Sequence, residues 1–199
     1  MKILIVGGKG TIGKHVSAHL SKKHHIINAG RTSGDVTVDI GDINSIKAMF
    51  GATGKLDAII CIAGQAKWAA FESLSEEDFY IGIKSKLMGQ VNLVRVGKDY
   101  LNAGGSFTLT TGILADDPVV NTTAAALVNG GIHGFVKAVS MELKNGHRIN
   151  VVVPGLVEDS VDDYGDYFPG YNPIPMNRVV NGFVRSVEGK KTGEIIRIF

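Results

Sequence analysis

Three glycines set three apart, Gly7, Gly10 and Gly13, are the first residues whose type and spacing bear on chemistry. Glycine lets the backbone turn tightly and approach a ligand with no Cβ in the way. A helix starting at such a turn offers free N–H groups and a partial positive charge, a combination suited to a pyrophosphate. Thr11 and Ile12 lie inside the same turn and belong to the candidate site. Further on, the stretch AGRTS has no carboxylate of the kind that grips a free ribose 2′-hydroxyl. Arg31 is instead suited to a 2′-phosphate, with Thr32 and Ser33 as supporting hydroxyl donors; the alternative is an exposed turn arginine. His15 and His19 stand four apart, a spacing that can chelate a metal, but no third ligand is near. They read as the edge of an amphipathic helix, and no metal site is expected.

The elements that must position these residues alternate along the chain. Residues 2–6 are a continuous apolar run, typical of a parallel strand covered on both faces, and GGKGTIG leads from it into a helical pattern with Ile12, Val16 and Leu20 at spacing four. Strands are predicted over residues 25–29, 36–40, 58–62, 107–110, 147–153 and 194–199. Helices are predicted over residues 43–50, 75–101, 122–143 and 177–187. Ser75 and Glu77 resemble an N-terminal cap region. Thr110 and Thr111 then end a strand at the crevice where such sheets bind ligands, although threonine is also simply a good strand residue. Residues 158–175 hold Tyr164, Tyr167, Phe168 and Tyr171 among Asp, Gly and Pro, a long loop with aromatic anchors. The alternation predicts an α/β fold, a doubly wound parallel sheet of about seven strands with helices on both faces.

Composition narrows the class. The 199 residues are 44% hydrophobic and 20% charged, ordinary for one domain spanning 1–199. A net charge of +2 and the lack of a basic run exclude a strong nucleic-acid or membrane-binding field. The opening MKILIVGG is too short in apolar residues for a signal core or a membrane span, and the single cysteine, Cys61, fits a reducing compartment. A cytoplasmic protein is expected, with Cys61 in the core. Glycine, at 26 residues, is the compositional outlier against a usual share of roughly 7%.

Several segments together resemble the short-chain dehydrogenase/reductase family over nearly the whole chain. Beside the glycine turn, VDIGD supplies Asp39 and Ile40, similar to the family's Asp-hydrophobic pair beside the adenine. CIAG resembles its NNAG, keeping Ala63 and Gly64, with Cys61 and Ile62 for the asparagines. HRINVVVPGLV resembles the segment in which Pro154 and Gly155 lead the chain past the nicotinamide. TGEIIRIF resembles the family's final segment without its terminal glycines. The resemblance implies a Rossmann-like fold and a nicotinamide dinucleotide, and Arg31 favours NADP over NAD.

The same resemblance exposes an altered active site. The family's tyrosine and lysine positions fall on Ala125 and Asn129, neither of which can exchange a proton or lower a neighbour's pKa. Its serine position falls at Thr111, and its helix asparagine on Lys86. Lys86 would either donate a proton or stabilise a developing alkoxide, or be a solvated lysine beside Lys84. A lid tyrosine offers another acid, with packing as the simpler role. Gly130, Gly131 and Gly134 each cost a helix about 1 kcal/mol relative to alanine, which implies close approach by a neighbouring helix. In the family the two long helices pair across a dimer interface, so a homodimer or homotetramer is expected. The function implied is an NADP-dependent oxidoreductase of a small carbonyl or alcohol substrate with a non-standard active site. The alternative is a non-catalytic NADP-binding sensor or structural protein.

Overall fold

A run with no polar residue after Lys2 cannot line a half-exposed sheet, and β1 (Lys2–Val6) lies inside the sheet with Ile3, Leu4, Ile5 and Val6 buried. The computed structural model describes residues 1–199. Besides β1 it contains β2 (His25–Gly30), β3 (Val36–Thr37), β4 (Leu56–Cys61), β5 (Leu101–Thr110), β6 (Arg148–Pro154) and β7 (Ile195–Ile198). They form one sheet in the order β3-β2-β1-β4-β5-β6-β7, every pairing parallel. This is the doubly wound, Rossmann-like sheet that the sequence predicts.

Helices cover both faces. On one, α1 (Thr11–Leu20) and α7 (Met176–Glu188) place Val16, Leu20, Val179 and Phe183 on Ile3, Ile5 and Ile60. On the other, α2 (Ile43–Thr53), α4 (Gly89–Gly97) and α5 (Thr123–Val139) place Phe50, Leu93 and Val136 on Leu4, Ile59 and Phe107. No helix is long and apolar enough to cross a membrane.

Three elements differ from expectation. The helix predicted over residues 75–101 begins as α3 (Glu76–Gly82), where Ser75 and Asp78 cap each other's backbone N–H, so Asp78 and not Glu77 closes the box. It then widens into a π-helical turn, Ile83–Met88, before α4, and stops at Gly97. Residues after that helix belong to β5, which runs for 10 residues because Gly104, at φ +77°, and Gly105 absorb a register shift against β4. The strand expected at 36–40 pairs only over Val36–Thr37, although Val38 and Ile40 stay buried. Asp42 then caps α2 by accepting from the Asn44 N–H at 2.8 Å.

Candidate functional site

The strand order reverses between β1 and β4, and the crevice at their carboxyl ends is where an open α/β sheet takes a ligand. Gly10 caps α1 without any side-chain hydrogen bond, and the helix has no acidic residue in its first turn. The amides of Thr11, Ile12 and Gly13 therefore point out of the helix end unpartnered, and its positive end is left for a ligand. Gly13 has no room for a side chain, since a Cβ there would stand 2.0 Å from the Gly7 carbonyl oxygen. The packed, uncapped turn fits a pyrophosphate.

From this turn a groove of about 470 Å³ runs toward β3, lined by Gly7, Arg31, Asp39, Ile40, Ala63 and Gly64 among others. Arg31 is exposed at its edge, and no carboxylate of the protein pairs with it. Thr32 and Ser33 do not line the groove. The Asp39 carboxylate is held by the Gly41 N–H at 2.9 Å, and the Asp39 N–H donates to Ser45 Oγ.

A second cavity, of about 590 Å³, continues from the first, and Gly64 and Gln65 line both. Its walls carry Lys86, Thr111, Ala125, Asn129, Pro154 and Gly155, and Ile12 reaches it from α1. The chain that follows β6 forms the remaining wall. There Trp68 packs at 5.1 Å from Tyr164 and 5.3 Å from Tyr167, ring centre to ring centre. That segment is less of a free loop than its composition implies. It includes α6 (Val161–Tyr164), Val157 bridges to Ile174, and the Met176 N–H donates to Glu158 Oε1 at 2.8 Å. Asp159 pairs with Lys14 and His15, both at 2.9 Å, which gives His15 a carboxylate partner. Tyr171 does not line the cavity; its hydroxyl donates to the Asp117 carboxylate, which raises the tyrosine pKa. Of the three tyrosines in this segment, Tyr164 and Tyr167 line the second cavity.

Lys86 sits in the π turn, where a widened helix shifts side-chain directions and often marks a functional site. Lys84 is exposed, whereas Lys86 is partly buried and lies against the β4 exit: a Cβ at Gly64, φ +125°, would come within 2.8 Å of Lys86 Cα. Loss of solvation pushes the ammonium down to about 8, and the only charge acting to raise it would be a Cys61 thiolate. Cys61 is fully buried, and burial pushes that thiol up to about 12, so at neutral pH it carries no charge to help. Lys86 is thus an unpaired cation at a mostly apolar cavity.

Sequence reasoning missed two polar residues around this point, Gln90 and His133, and the free acceptor of a third, Asn129. Gln90 is fully buried and clamps the end of β5, donating to the Thr110 carbonyl at 2.9 Å and accepting from the Thr110 N–H at 3.1 Å. His133 is buried with its Nε2 2.9 Å from Thr111 Oγ1. Asn129, known from sequence only as a lost lysine, lines the cavity with a buried Oδ1 that has no protein partner. Its Nδ2 makes a long contact of 3.5 Å to the Gly112 carbonyl.

Comparison with known proteins places these features. The family model described as enoyl-(acyl carrier protein) reductase matches residues 14–179. The structure of protein lin1944 from Listeria innocua superposes with a TM-score of 0.99 at 46% identity, covering 100% of both chains. A small-chain dehydrogenase in complex with NADPH superposes with a TM-score of 0.86 at 25% identity, covering 100% of this chain and 96% of that one. Among curated proteins, the short-chain dehydrogenase/reductase ucsE of Acremonium sp is 29% identical over 106 residues, 52% of this chain and only 40% of that protein. Hydroxynaphthalene reductase arp2 of Aspergillus fumigatus is 21% identical over 193 residues, 84% of this chain and 71% of that protein. With a model matched over most of its length and a seven-stranded sheet of the corresponding build, the chain belongs to the short-chain dehydrogenase/reductase family.

Proposed function

We infer that the protein is an NADP-dependent oxidoreductase acting on a small carbonyl or alcohol substrate, in the cytoplasm. The observation that carries this reading is the continuity of the two cavities through Gly64 and Gln65. Arg31, Asp39 and Ile40 would hold one end of a dinucleotide and the α1 amides its pyrophosphate, which leaves Pro154, Gly155 and the Lys86 cavity for the other end. A reduced nicotinamide bound there would supply a hydride. The chain must supply the rest: a place for the carbonyl oxygen, a countercharge for it, and a proton. Thr111 provides a hydroxyl at the cavity wall, and Lys86 provides positive charge where an alkoxide develops. The aromatic wall of Trp68, Tyr164 and Tyr167 would shield one side of a bound substrate from water.

Ala125 and Asn129 support the competing reading, a nucleotide sensor that has lost its chemistry. Calorimetry with NADPH and NADH, followed by a carbonyl screen on the wild type and on Ala125→Tyr with Asn129→Lys, separates the two. The oxidoreductase reading expects NADPH uptake and turnover by the wild type. Turnover by the double variant alone would make the native site idle.

The expected homodimer or homotetramer would form along α5. A Cβ at Gly130 or Gly134 would meet nothing within 4 Å, so no helix of the same chain approaches them, and Leu127 on α5 and Met141 just past its end are 52% and 83% exposed. A second copy packed along α5 would offset the helical cost of these glycines. Sedimentation at micromolar concentration should show a dimer that Leu127→Asp shifts to monomer; an unshifted distribution removes α5 from the interface.

A further inference from the structure

One polar group behind the cavity, His133, has no part in the reading above. His133 stands one helical turn beyond Asn129 on α5, and its Nε2 lies 2.9 Å from Thr111 Oγ1. Thr111 is also a cavity wall, so one residue borders both the cavity and the imidazole. The far ring nitrogen, Nδ1, has no partner in the protein and is not sealed off, since His133 keeps 8% of its surface exposed and only other atoms are buried without partners. Around it stand the Asp116–Arg197 ion pair, 2.6 Å apart, and Lys137.

We propose that Thr111 and His133 form a proton relay joining bulk water to the substrate oxygen, a role that rests on the oxidoreductase reading. In the reducing direction the carbonyl carbon gains a hydride with its electron pair, and the π pair of the C=O bond moves onto oxygen. That oxygen takes the Thr111 hydroxyl proton. Thr111 Oγ1 in turn takes the proton on His133 Nε2, and Nδ1 takes one from water. One hydride and one proton have been added to the substrate, the imidazole has changed tautomer, and exchange with water restores it. Alcohol oxidation runs the same path backwards.

The imidazole must be neutral to pass a proton this way, carrying one N–H and one lone pair. Loss of solvation holds His133 below the ordinary histidine range, and Arg197 and Lys137 push the same way against Asp116. At neutral pH the ring is therefore in the required form. The relay also accounts for a family member that manages without a tyrosine and lysine at 125 and 129: the proton arrives from the β5 side of the cavity, through a residue four positions further along the same helix.

A purely structural bond makes a different prediction, because glutamine at 133 keeps a donor for Thr111 but has no second basic nitrogen to refill from water. NADPH oxidation with isatin and with benzil is to be followed for wild type, His133→Gln and His133→Phe. Both variants should lose about tenfold or more in kcat, with KM changed less than about twofold. Independently of turnover, nitrogen NMR of the cofactor-free protein should show the His133 Nε2 resonance and its titration displaced in Thr111→Val. A His133→Gln variant with wild-type kcat, or an Nε2 signal indifferent to Thr111→Val, overturns the relay and leaves the oxidoreductase reading in place. A wild type that binds NADPH but reduces none of a broad carbonyl panel overturns that reading, and the relay with it.

Discussion

Replacing Arg31 by alanine should weaken NADPH binding by about tenfold to a hundredfold and leave NADH binding within about twofold, because a charge-assisted hydrogen bond contributes about 1.5–3 kcal/mol. Arg31 lies at the groove edge with no carboxylate of its own to satisfy it, so its guanidinium is free for a ligand anion. A 2′-phosphate is the one group that separates NADP from NAD, and a planar fork grips it through two bonds at once. Exposure works against the effect. At 0.15 M salt the Debye length is about 8 Å, which places the expected loss toward the lower end and makes it larger in dilute buffer. Arg31→Asp goes further: the carboxylate repels the phosphate and accepts from a free 2′-hydroxyl, so preference should reverse toward NADH. Calorimetry with both nucleotides at two salt concentrations reads all of this. Equal weakening of NADPH and NADH would reduce Arg31 to a piece of groove wall, and NADP selectivity would have to come from elsewhere.

The groove beside the glycine turn was legible in the sequence and much of the second cavity was not, for a physical reason. The phosphate turn is a local object: strand, glycines and helix start lie within residues 2–20, and their order alone fixes where the unpartnered amides point. Asp39, Ile40, Ala63, Gly64, Pro154 and Gly155 end or follow strands, so once the sheet is parallel they gather at one edge. Thr32 and Ser33 show the limit of that argument, since being adjacent in sequence to Arg31 does not turn them into the groove. At the second cavity, the fate of Lys86 depends on a π turn, which has no sequence signature that helical periodicity would register. The widening changes which side of the helix faces the β4 exit, so counting residues separates Lys84 from Lys86 poorly. His133 meets Thr111 across a pairing between α5 and the end of β5, 22 residues apart in the chain, and an isolated histidine on a helix gives no hint of it. Gln90 is hidden in the same way: only its burial and its two bonds to Thr110 show that it holds the strand end carrying Thr111.

Lys86→Met should raise stability and abolish activity together, the pattern of a group kept for chemistry against the preference of the fold. Below about pH 8 the wild type holds Lys86 as a cation in both folded and unfolded chains, and the folded chain bears the cost of poor solvation. Between about 8 and the ordinary lysine value of 10.5 the folded chain has released that proton while the unfolded chain retains it. The unfolded state then binds more protons, so stability rises with pH across that window. Methionine fills similar space without the charge, so denaturant unfolding at pH 7 should show a gain of about 1 kcal/mol, modest because Lys86 keeps some exposure, and no rise above pH 8. Turnover should move the other way, falling by about a hundredfold or more if the cation stabilises the developing alkoxide. In the wild type, carbonyl reduction should decline as pH rises through about 8, where the ammonium is lost. Lys86→Arg distinguishes charge from proton delivery, because a guanidinium stays charged throughout and gives up no proton. Retained activity with the decline near pH 8 abolished would identify Lys86 as a countercharge and leave the proton to Thr111 and His133. An inactive Lys86→Arg with an intact fold would assign the proton to Lys86 itself. A Lys86→Met that is destabilised and still active would remove the residue from both arguments, since its amine would then be satisfied by something other than substrate.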